Sequence, residues 1–141
     1  MDSKEEVLLQ NARFYEAFEN ADIDTLEAVW SHGRHVKCIH PGWTVLEGWS
    51  AVKKSWTDIF SRGMEMKISL RNVTVEVYGT LGVVILMEEI VYQSGKVRNS
   101  GTVMATNLFE FDGREWKMIH HHGSPMMVVE QEEEKENYRY N

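Results

Sequence analysis

The chain has 141 residues, 43% of them hydrophobic and 26% charged, which is typical of one soluble domain with its own core. Its net charge of −7 disfavours nucleic acid and anionic membrane surfaces as partners. The single cysteine, Cys38, excludes an internal disulfide framework, and the N-terminal residues lack the pattern of a signal peptide. We therefore expect a cytoplasmic protein that does not span a membrane.

Two helices are predicted at the start of the chain. Apolar side chains recur at spacings of three, four and seven over residues 4–19, which indicates an amphipathic helix. In the stretch "DTLE", Asp24 and Glu27 fit a capping box that opens a short second helix ending at Trp30.

A strand and a third helix follow. The stretch "HVKCIH" predicts a strand over residues 35–40, which ends where Pro41-Gly42 breaks the ladder. Ser50 is the expected N-cap of the helix "AVKKSWTDIF". The alternation of this strand places Val36, Cys38 and His40 on one side.

From residue 66 onward the pattern changes to strands separated by glycine-containing turns. The four segments are "MKISLRNVTVEVYG", "GVVILMEEIVYQ", "GTVMATNLFEFDG" and "EWKMIHHHGSP". Helices followed by long antiparallel strands predict an α+β fold in which the helices cover one face of a curved sheet. We assign residues 1–126 to a single domain and residues 127–141 to an acidic C-terminal tail.

The two central strands are apolar at odd and even positions alike, in "VVILM" (83–87) and "VMATNLF" (103–109). An antiparallel sheet with one solvated face would alternate instead. Since the helices can cover only one face, the pattern predicts a homodimer that forms through the outer face of the sheet.

The last hairpin determines where the three consecutive histidines point. Phe111 and Trp116 flank the turn signal Asp112-Gly113. Across a two- or four-residue loop, residues that oppose each other share a face of the sheet. A three-residue loop with a bulge would reverse this pairing.

The first alternative places Asn107 on the same face as His120, His122 and Ser124. His121 then points to the other side, towards the predicted dimer interface. Two of the three histidines would thus share a pocket with Asn107, unless they are only hydrogen-bonded residues of its wall.

Two further titratable residues are candidates for chemistry. His40 can act as a general base, because a pKa near 6.5 suits proton abstraction at neutral pH and an apolar pocket lowers it further. Its alternative role is to bond the turn at Pro41-Gly42. Glu88 lies among apolar residues, where a carboxyl group needs a partner or a proton. It is either a partner of an inward histidine or a charge at a sheet edge or interface.

The stretches "CIHPGW", "GWSAVKKSW", "ATNLFEF" and "WKMIHHH" resemble a SnoaL-like member of the nuclear transport factor 2-like superfamily, which includes ketosteroid isomerases and scytalone dehydratase. The resemblance covers roughly residues 4–126. It implies a cone-shaped, strongly curved antiparallel sheet wrapped around N-terminal helices (a cystatin-like roll), which encloses a mainly apolar pocket and dimerises through the outside of the sheet.

The same resemblance guides the functional prediction. His40 precedes Pro41 where ketosteroid isomerases carry a carboxylate as general base, so the resemblance implies an imidazole base and not steroid isomerisation. Tyr15, on the first helix, is a candidate for ligand binding. Trp43, in a loop, is a candidate for stacking on a planar ligand. Trp56, on the third helix, is predicted to be core, because aromatic residues at helical spacing more often pack in the interior.

A metal site built from His40, His120, His122 and Glu88 is an alternative, because an H-x-H pair presents two imidazoles side by side. Most proteins of the resembling type carry no metal, so we expect neither metal nor cofactor.

The sequence thus predicts a pocket protein that binds a small apolar or aromatic ligand, and that acts, if catalytic, as an isomerase, dehydratase or cyclase. The predicted catalytic residues are His40, Glu88, His120 and His122, and the predicted ligand-binding residues are Trp43, Asn107 and Tyr15. The alternative is a non-catalytic dimerisation or ligand-binding module of the same fold.

Overall fold

The structure, a computed structural model, describes residues 1–127. Apart from Met127, the predicted acidic tail (127–141) lies outside the described residues. Within residues 1–127, no helix is both long enough and apolar enough to cross a bilayer.

Three helices precede the long strands: α1 (Ser3–Glu19), α2 (Ile23–Val29) and α3 (Trp49–Phe60). Asp2 caps α1 and forms a capping box with Glu5. The two caps that the sequence analysis predicted, Asp24 for the second helix and Ser50 for the third, were wrong. Asp22 caps α2 through its bond from the Thr25 amide, and Gly48, with φ 86°, leads into α3. Asp24 and Ser50 lie inside the helices that they were predicted to cap.

Within the described part of the chain, six strands form one open sheet. They are β1 (Lys37–Ile39), β2 (Leu46–Glu47), β3 (Glu65–Tyr78), β4 (Leu81–Ser94), β5 (Val97–Phe111) and β6 (Trp116–Pro125), in the spatial order β2-β1-β6-β5-β4-β3. The predicted α+β class is confirmed, and so are the four long strands.

The sheet was predicted to be antiparallel, but it is mixed. β1 runs parallel to β6, with Cys38 beside His121, whereas the other strand pairs are antiparallel. A parallel pair needs a long crossover, and here the chain from β2 to β5 supplies it. This pairing brings the segment that precedes His40 against the histidine-containing strand.

The sheet curves around α1. This helix contacts β3 and β4 on one side and β6 on the other. β3 and β6 are separated by three strand spacings, about 14 Å, which is more than the diameter of a helix with its side chains. One helix can reach both strands only if the sheet bends towards it.

An irregularity in the β5–β6 pairing changes which side chains face α1. Phe111 pairs with Trp116 and Phe109 with Met118, but Leu108 pairs with His120. Ile119 is therefore an extra residue in β6, the arrangement of a β-bulge. The loop after Phe111 has four residues, as the prediction allowed, but the alternation of β6 reverses after Met118.

The inner face of the sheet and the helices enclose an aromatic core. Phe14 contacts the rings of Trp30 and Trp56 edge-on, with centroids 6.5 and 5.6 Å apart. Phe109 and Met118 are fully buried in the same cluster. Trp56, predicted to be core, is buried.

Gly82 offers a test of how tightly α1 packs on β4. A Cβ at this position would lie 2.8 Å from Val7 Cγ2, and the branched side chain of Val7 has little freedom to move away. We expect Gly82→Ala to lower the free energy of unfolding by about 1–3 kcal/mol in denaturant titrations.

Gly101→Ala is the matched control, because its Cβ would meet nothing within 4 Å. Its free energy of unfolding should change by less than about 0.5 kcal/mol. Equal losses in the two variants would contradict close packing at Gly82.

Candidate functional site

A cluster of buried polar side chains crosses the inner face of the sheet. It contains Tyr15 from α1, Glu88 from β4, Asn107 from β5 and His121 from β6, and each is at most 5% exposed. The three strand residues occupy inward-facing positions of neighbouring strands, so their side chains lie close together among the apolar residues of the inner face. Polar groups in such a place need hydrogen-bond partners.

Hydrogen bonds link these side chains in one network. The Tyr15 hydroxyl donates to Glu88 Oε2 at 2.5 Å. Asn107 Nδ2 donates to Tyr15 Oη at 3.1 Å and to Asn11 Oδ1 at 2.9 Å. His121 Nδ1 lies 2.6 Å from Asn107 Oδ1, and His121 Nε2 lies 4.0 Å from Glu88 Oε2.

The network determines the tautomer of His121. The amide group of Asn107 already donates to Asn11 and Tyr15, so its oxygen faces His121 and can only accept. His121 must therefore carry a proton on Nδ1. Its Nε2 is then an unprotonated nitrogen on the side of Glu88.

Burial shifts the pKa values of all three titratable members. It raises the pKa of Glu88 from 4.5 to about 7, although the hydrogen bond from Tyr15 lowers it. Burial, followed by the charges of neighbouring histidines, lowers the pKa of His121 from 6.5 to about 3. Burial, followed by the charge of Glu88, raises the pKa of Tyr15 well above 10.0. Near pH 6 the three groups are therefore mainly uncharged.

His40 lies beside this network and is 4% exposed. Its ring packs edge-on against Trp43 and Trp56, with centroids 4.7 and 4.8 Å away. Trp56 also contacts the ring of His121, at 5.9 Å between centroids. Burial lowers the pKa of His40 from 6.5 to about 4, so the imidazole is neutral at physiological pH.

A serine on α3 determines which nitrogen of His40 is free. Ser55 Oγ donates its proton to the Val52 carbonyl at 2.7 Å. The same oxygen lies 2.9 Å from His40 Nε2 and must accept there, because a hydroxyl has one proton. His40 therefore holds its proton on Nε2, and Nδ1 is the nitrogen able to take up another.

A groove of about 410 Å³ begins where the polar network ends. Pro41, which follows His40, forms part of its wall. Ile90 lies two positions beyond Glu88 on the same face of β4, and Val103 is the β5 partner of Glu88. Tyr92, Pro125 and Met126 complete the apolar lining, and Gly101 leaves open space above the sheet.

The structure separates the predicted site residues into two groups. Tyr15, Glu88 and Asn107 are in direct contact, and His40 is buried on the same side of the sheet as predicted. Trp43 packs on His40 but is 43% exposed.

The predicted orientation of the histidines on β6 was wrong. His120 is half-buried and His122 is exposed on the outer face, with their rings 6.3 Å apart. His121, predicted to point outward, is the inward residue. The cause is the bulge at Ile119, which reverses the alternation ahead of all three residues.

The same bulge separates the residues of the alternative metal site. His120 and His122 lie on the opposite face of the sheet from His40 and Glu88, so the four side chains do not form one set of ligands. The consecutive apolar residues Met118 and Ile119 are the one irregularity in the sequence at this point, and such a pair does not by itself identify a bulge.

Comparisons with known proteins bear on this fold and site. A model of the SnoaL-like domain matches residues 7–128. The chain belongs to the SnoaL-like family. Among solved structures, a proposed dehydratase of the NTF2-like family from Streptomyces avermitilis is 31% identical, with a TM-score of 0.83 over 88% of this chain and 97% of that one.

Two further relatives show how widely this SnoaL-like fold is used. A proposed calcium/calmodulin-dependent protein kinase type II association domain from Thiobacillus denitrificans is 28% identical, with a TM-score of 0.76 over 84% of this chain and 93% of that one. The F-box protein SKIP8 of Arabidopsis thaliana is 25% identical over 86% of this chain. The SnoaL-like chain spans about half the length of this curated relative, since the match covers 50% of it.

The raised pKa of Glu88 gives the SnoaL-like domain a specific pH dependence. The folded state holds the Glu88 proton more tightly than the unfolded chain does, so this stabilisation is complete below pH 4.5 and is lost as pH rises through 7. In Glu88→Gln that loss is absent, while the amide oxygen still accepts from Tyr15. We expect the stability of the variant relative to wild type to increase by roughly 3 kcal/mol between pH 4.5 and 8.

Denaturant titrations of both proteins at a series of pH values measure this difference. His40 and His121, whose lowered pKa values cost stability as pH falls below 6.5, are present in both proteins and cancel. A difference in free energy of unfolding between the two proteins that stays constant with pH would show that Glu88 has an ordinary pKa. Glu89→Gln, at the neighbouring outward position, is the matched control.

Proposed function

We propose that this SnoaL-like domain binds a small, uncharged, largely apolar or aromatic molecule in the groove beside His40. We further propose that His40 and Glu88 carry out a cofactor-free proton transfer on it, of the isomerase, dehydratase or cyclase type. The observation that carries the proposal is a buried imidazole with a lowered pKa and a buried carboxyl with a raised pKa, each next to a residue that lines one apolar groove. Pro41 of the groove follows His40, and Val103 of the groove is the β5 partner of Glu88.

The lining of the groove supports the ligand class. Its volume of about 410 Å³ lies within the usual range for small-molecule sites. The side chains of Ile90, Tyr92, Val103, Pro125 and Met126 offer apolar and aromatic contacts and no charge. A charged ligand would lose its hydration there without gaining a partner of opposite sign.

The chemistry of His40 supports the role of base. Its pKa of about 4 keeps the imidazole neutral at physiological pH. The single proton of the neutral ring lies on Nε2, which donates it to Ser55 Oγ. The free Nδ1 can therefore accept a proton, at the cost of a lower basicity than that of an exposed histidine. Trp43 packs on the ring and is 43% exposed, which makes it the aromatic residue available to a planar ligand.

Glu88 supports the role of acid. With a pKa of about 7, a substantial fraction of the carboxyl groups carries a proton at neutral pH, and Tyr15 stabilises the conjugate base by donating to Oε2. A base and an acid close to one groove are the two groups that an isomerisation or a dehydration requires. The relative from Streptomyces avermitilis, itself a proposed dehydratase, agrees with this reaction class.

A plug variant tests the site. Gly101→Val adds a side chain above the groove floor, where a new Cβ meets nothing within 4 Å. A panel of phenols, naphthols and aromatic ketones is screened by thermal shift. A ligand at a hundred times its Kd stabilises the folded protein by about 2.7 kcal/mol and raises Tm by several degrees. We expect Gly101→Val to abolish the rise.

Thr106→Val, on the outward side of the same strand, is the control and should retain the full shift. His40→Gln separates binding from chemistry, because it removes the proposed base and leaves the groove in place. His35→Gln, which replaces an exposed histidine, is the matched control. The rate of turnover of a ligand found in the screen should fall at least a hundredfold in His40→Gln and stay unchanged in His35→Gln, and this result would support the proposal. Thermal shifts that survive the Gly101 plug would place the ligand elsewhere.

A second candidate function is self-association through the outer face of the sheet. Ile85 and Met104 are 43% and 36% exposed, and Val83, Met87 and Leu108 lie beside them on β4 and β5. We call these five residues the outer apolar patch. The similarity to a proposed kinase association domain favours self-association.

Charge in the outer apolar patch should break the association. We expect wild-type protein to sediment as a dimer at micromolar concentration and Ile85→Lys/Met104→Lys to sediment as a monomer, because buried unpaired lysines oppose the contact. Val97→Lys, at an apolar position 62% exposed outside the patch, is the control and should remain dimeric. A monomeric wild type, or a dimeric double variant, would rule out this interface.

A further inference from the structure

The network on the inner face contains an acid and a base that the proposed function does not pair. Glu88 Oε2 lies 4.0 Å from His121 Nε2, and both side chains are 2% exposed. The terminal carboxyl torsion of a glutamate is broad, so a small rotation brings one carboxyl oxygen within hydrogen-bond distance of the ring. Neither residue is required for packing alone, since apolar groups of the same volume would avoid the cost of burying polar atoms.

The hydrogen bonds around the pair give each partner one role. Asn107 Oδ1 takes the proton on His121 Nδ1 at 2.6 Å, which leaves Nε2 as an acceptor. Tyr15 donates to Glu88 Oε2, and a protonated carboxyl group still has a donor to offer. The ring nitrogen and the acid proton are therefore complementary.

Every element packed on this pair also brings its own polar or titratable group. Tyr15 comes from α1, Asn107 from β5, Cys38 from β1 and His40 from the segment after β1. Burial raises the pKa of the Cys38 thiol, and it lowers the pKa of His40, so both neighbours are uncharged at neutral pH. Among the described side chains around the pair, Glu88 is thus the group that can ionise near neutrality.

We propose that Glu88 and His121 form a buried carboxylic acid–imidazole pair that holds one exchangeable proton at the inner end of the groove, with Asn107 as the positioning residue that fixes the ring. In the transfer, the O–H bond of Glu88 breaks and an N–H bond forms at His121 Nε2. The products are a carboxylate and an imidazolium, so the net charge of the pair does not change.

The pair gives His121, and not His120 or His122, a part in the site. Its use on a ligand rests on the proposed function, in which Glu88 supplies the acid. In that use, His121 Nε2 accepts from the acid proton of Glu88 until a ligand takes that proton. Neutral His121 has no proton on Nε2 to give back, so the Glu88 carboxylate regains its proton from the imidazolium that the same reaction forms at His40. The existence of the pair needs no ligand, and a protein that binds nothing can still contain it.

Nuclear magnetic resonance on the full chain, labelled with ¹³C at glutamate carboxyl carbons and with ¹⁵N in histidine rings, tests the pair directly. At pH 6 we expect Glu88 to show the shift of a neutral acid, and His121 to carry a proton on Nδ1 with an unprotonated Nε2. An ionised Glu88 at pH 6, or a His121 ring protonated on Nε2, would overturn the proposal. This measurement requires no variant.

Asn107→Asp tests the positioning role. A carboxylate next to Nδ1 favours the charged ring, so the midpoint of the His121 titration should rise by about two pH units. Asn99→Asp makes the same change at an exposed position of the same strand and should leave the midpoint in place. An unchanged His121 midpoint in a folded Asn107→Asp protein would remove Asn107 from this role.

The outcomes separate this inference from the proposed function. If no ligand of the panel shifts Tm or is turned over, and the labelled spectra are as expected, the proposed function fails and the pair stands. Normal turnover with a neutral Glu88 but a His121 ring protonated on Nε2 at pH 6 would keep the function and end the pair.

Discussion

The amide of Asn107 joins the helical layer to the sheet, and the buried site depends on this link. It donates to Asn11 and Tyr15 on α1 and accepts from His121 on β6. One side chain thus fixes the ring of His121 and the hydroxyl that reaches Glu88. Buried polar networks are stabilising only when their members are satisfied, so loss of Asn107 would leave several groups unpaired at once.

Curvature of the sheet gives this network its place beside a groove. α1 fills the inner face from β3 to β6, so aromatic side chains such as Phe14 and Trp56 close one end of the interior. Beyond Glu88 and His40 the helix no longer covers the strands, and the apolar residues of β4 and β5 border open space. A titratable layer therefore lies between a packed core and an accessible cleft.

The two proposed functions use opposite faces of the sheet. Glu88 faces inward and takes part in the network, whereas Ile85 and Met104 face outward on the same pair of strands. Because successive residues of a strand alternate, an interface on the outer face leaves the inner groove free.

The sequence by itself determined the class of fold, the four long strands and the inward positions of His40 and Asn107, because periodicity is a local property of the chain. It left open whether Glu88 faces the interior or a sheet edge. The parallel pairing of β1 with β6 was beyond it, since that contact joins residues some 80 positions apart. The tertiary structure alone decided which histidine enters the site. One extra residue, Ile119, reverses every side chain that follows, and whether a strand accepts such a bulge depends on the partner strand and the core it must fit.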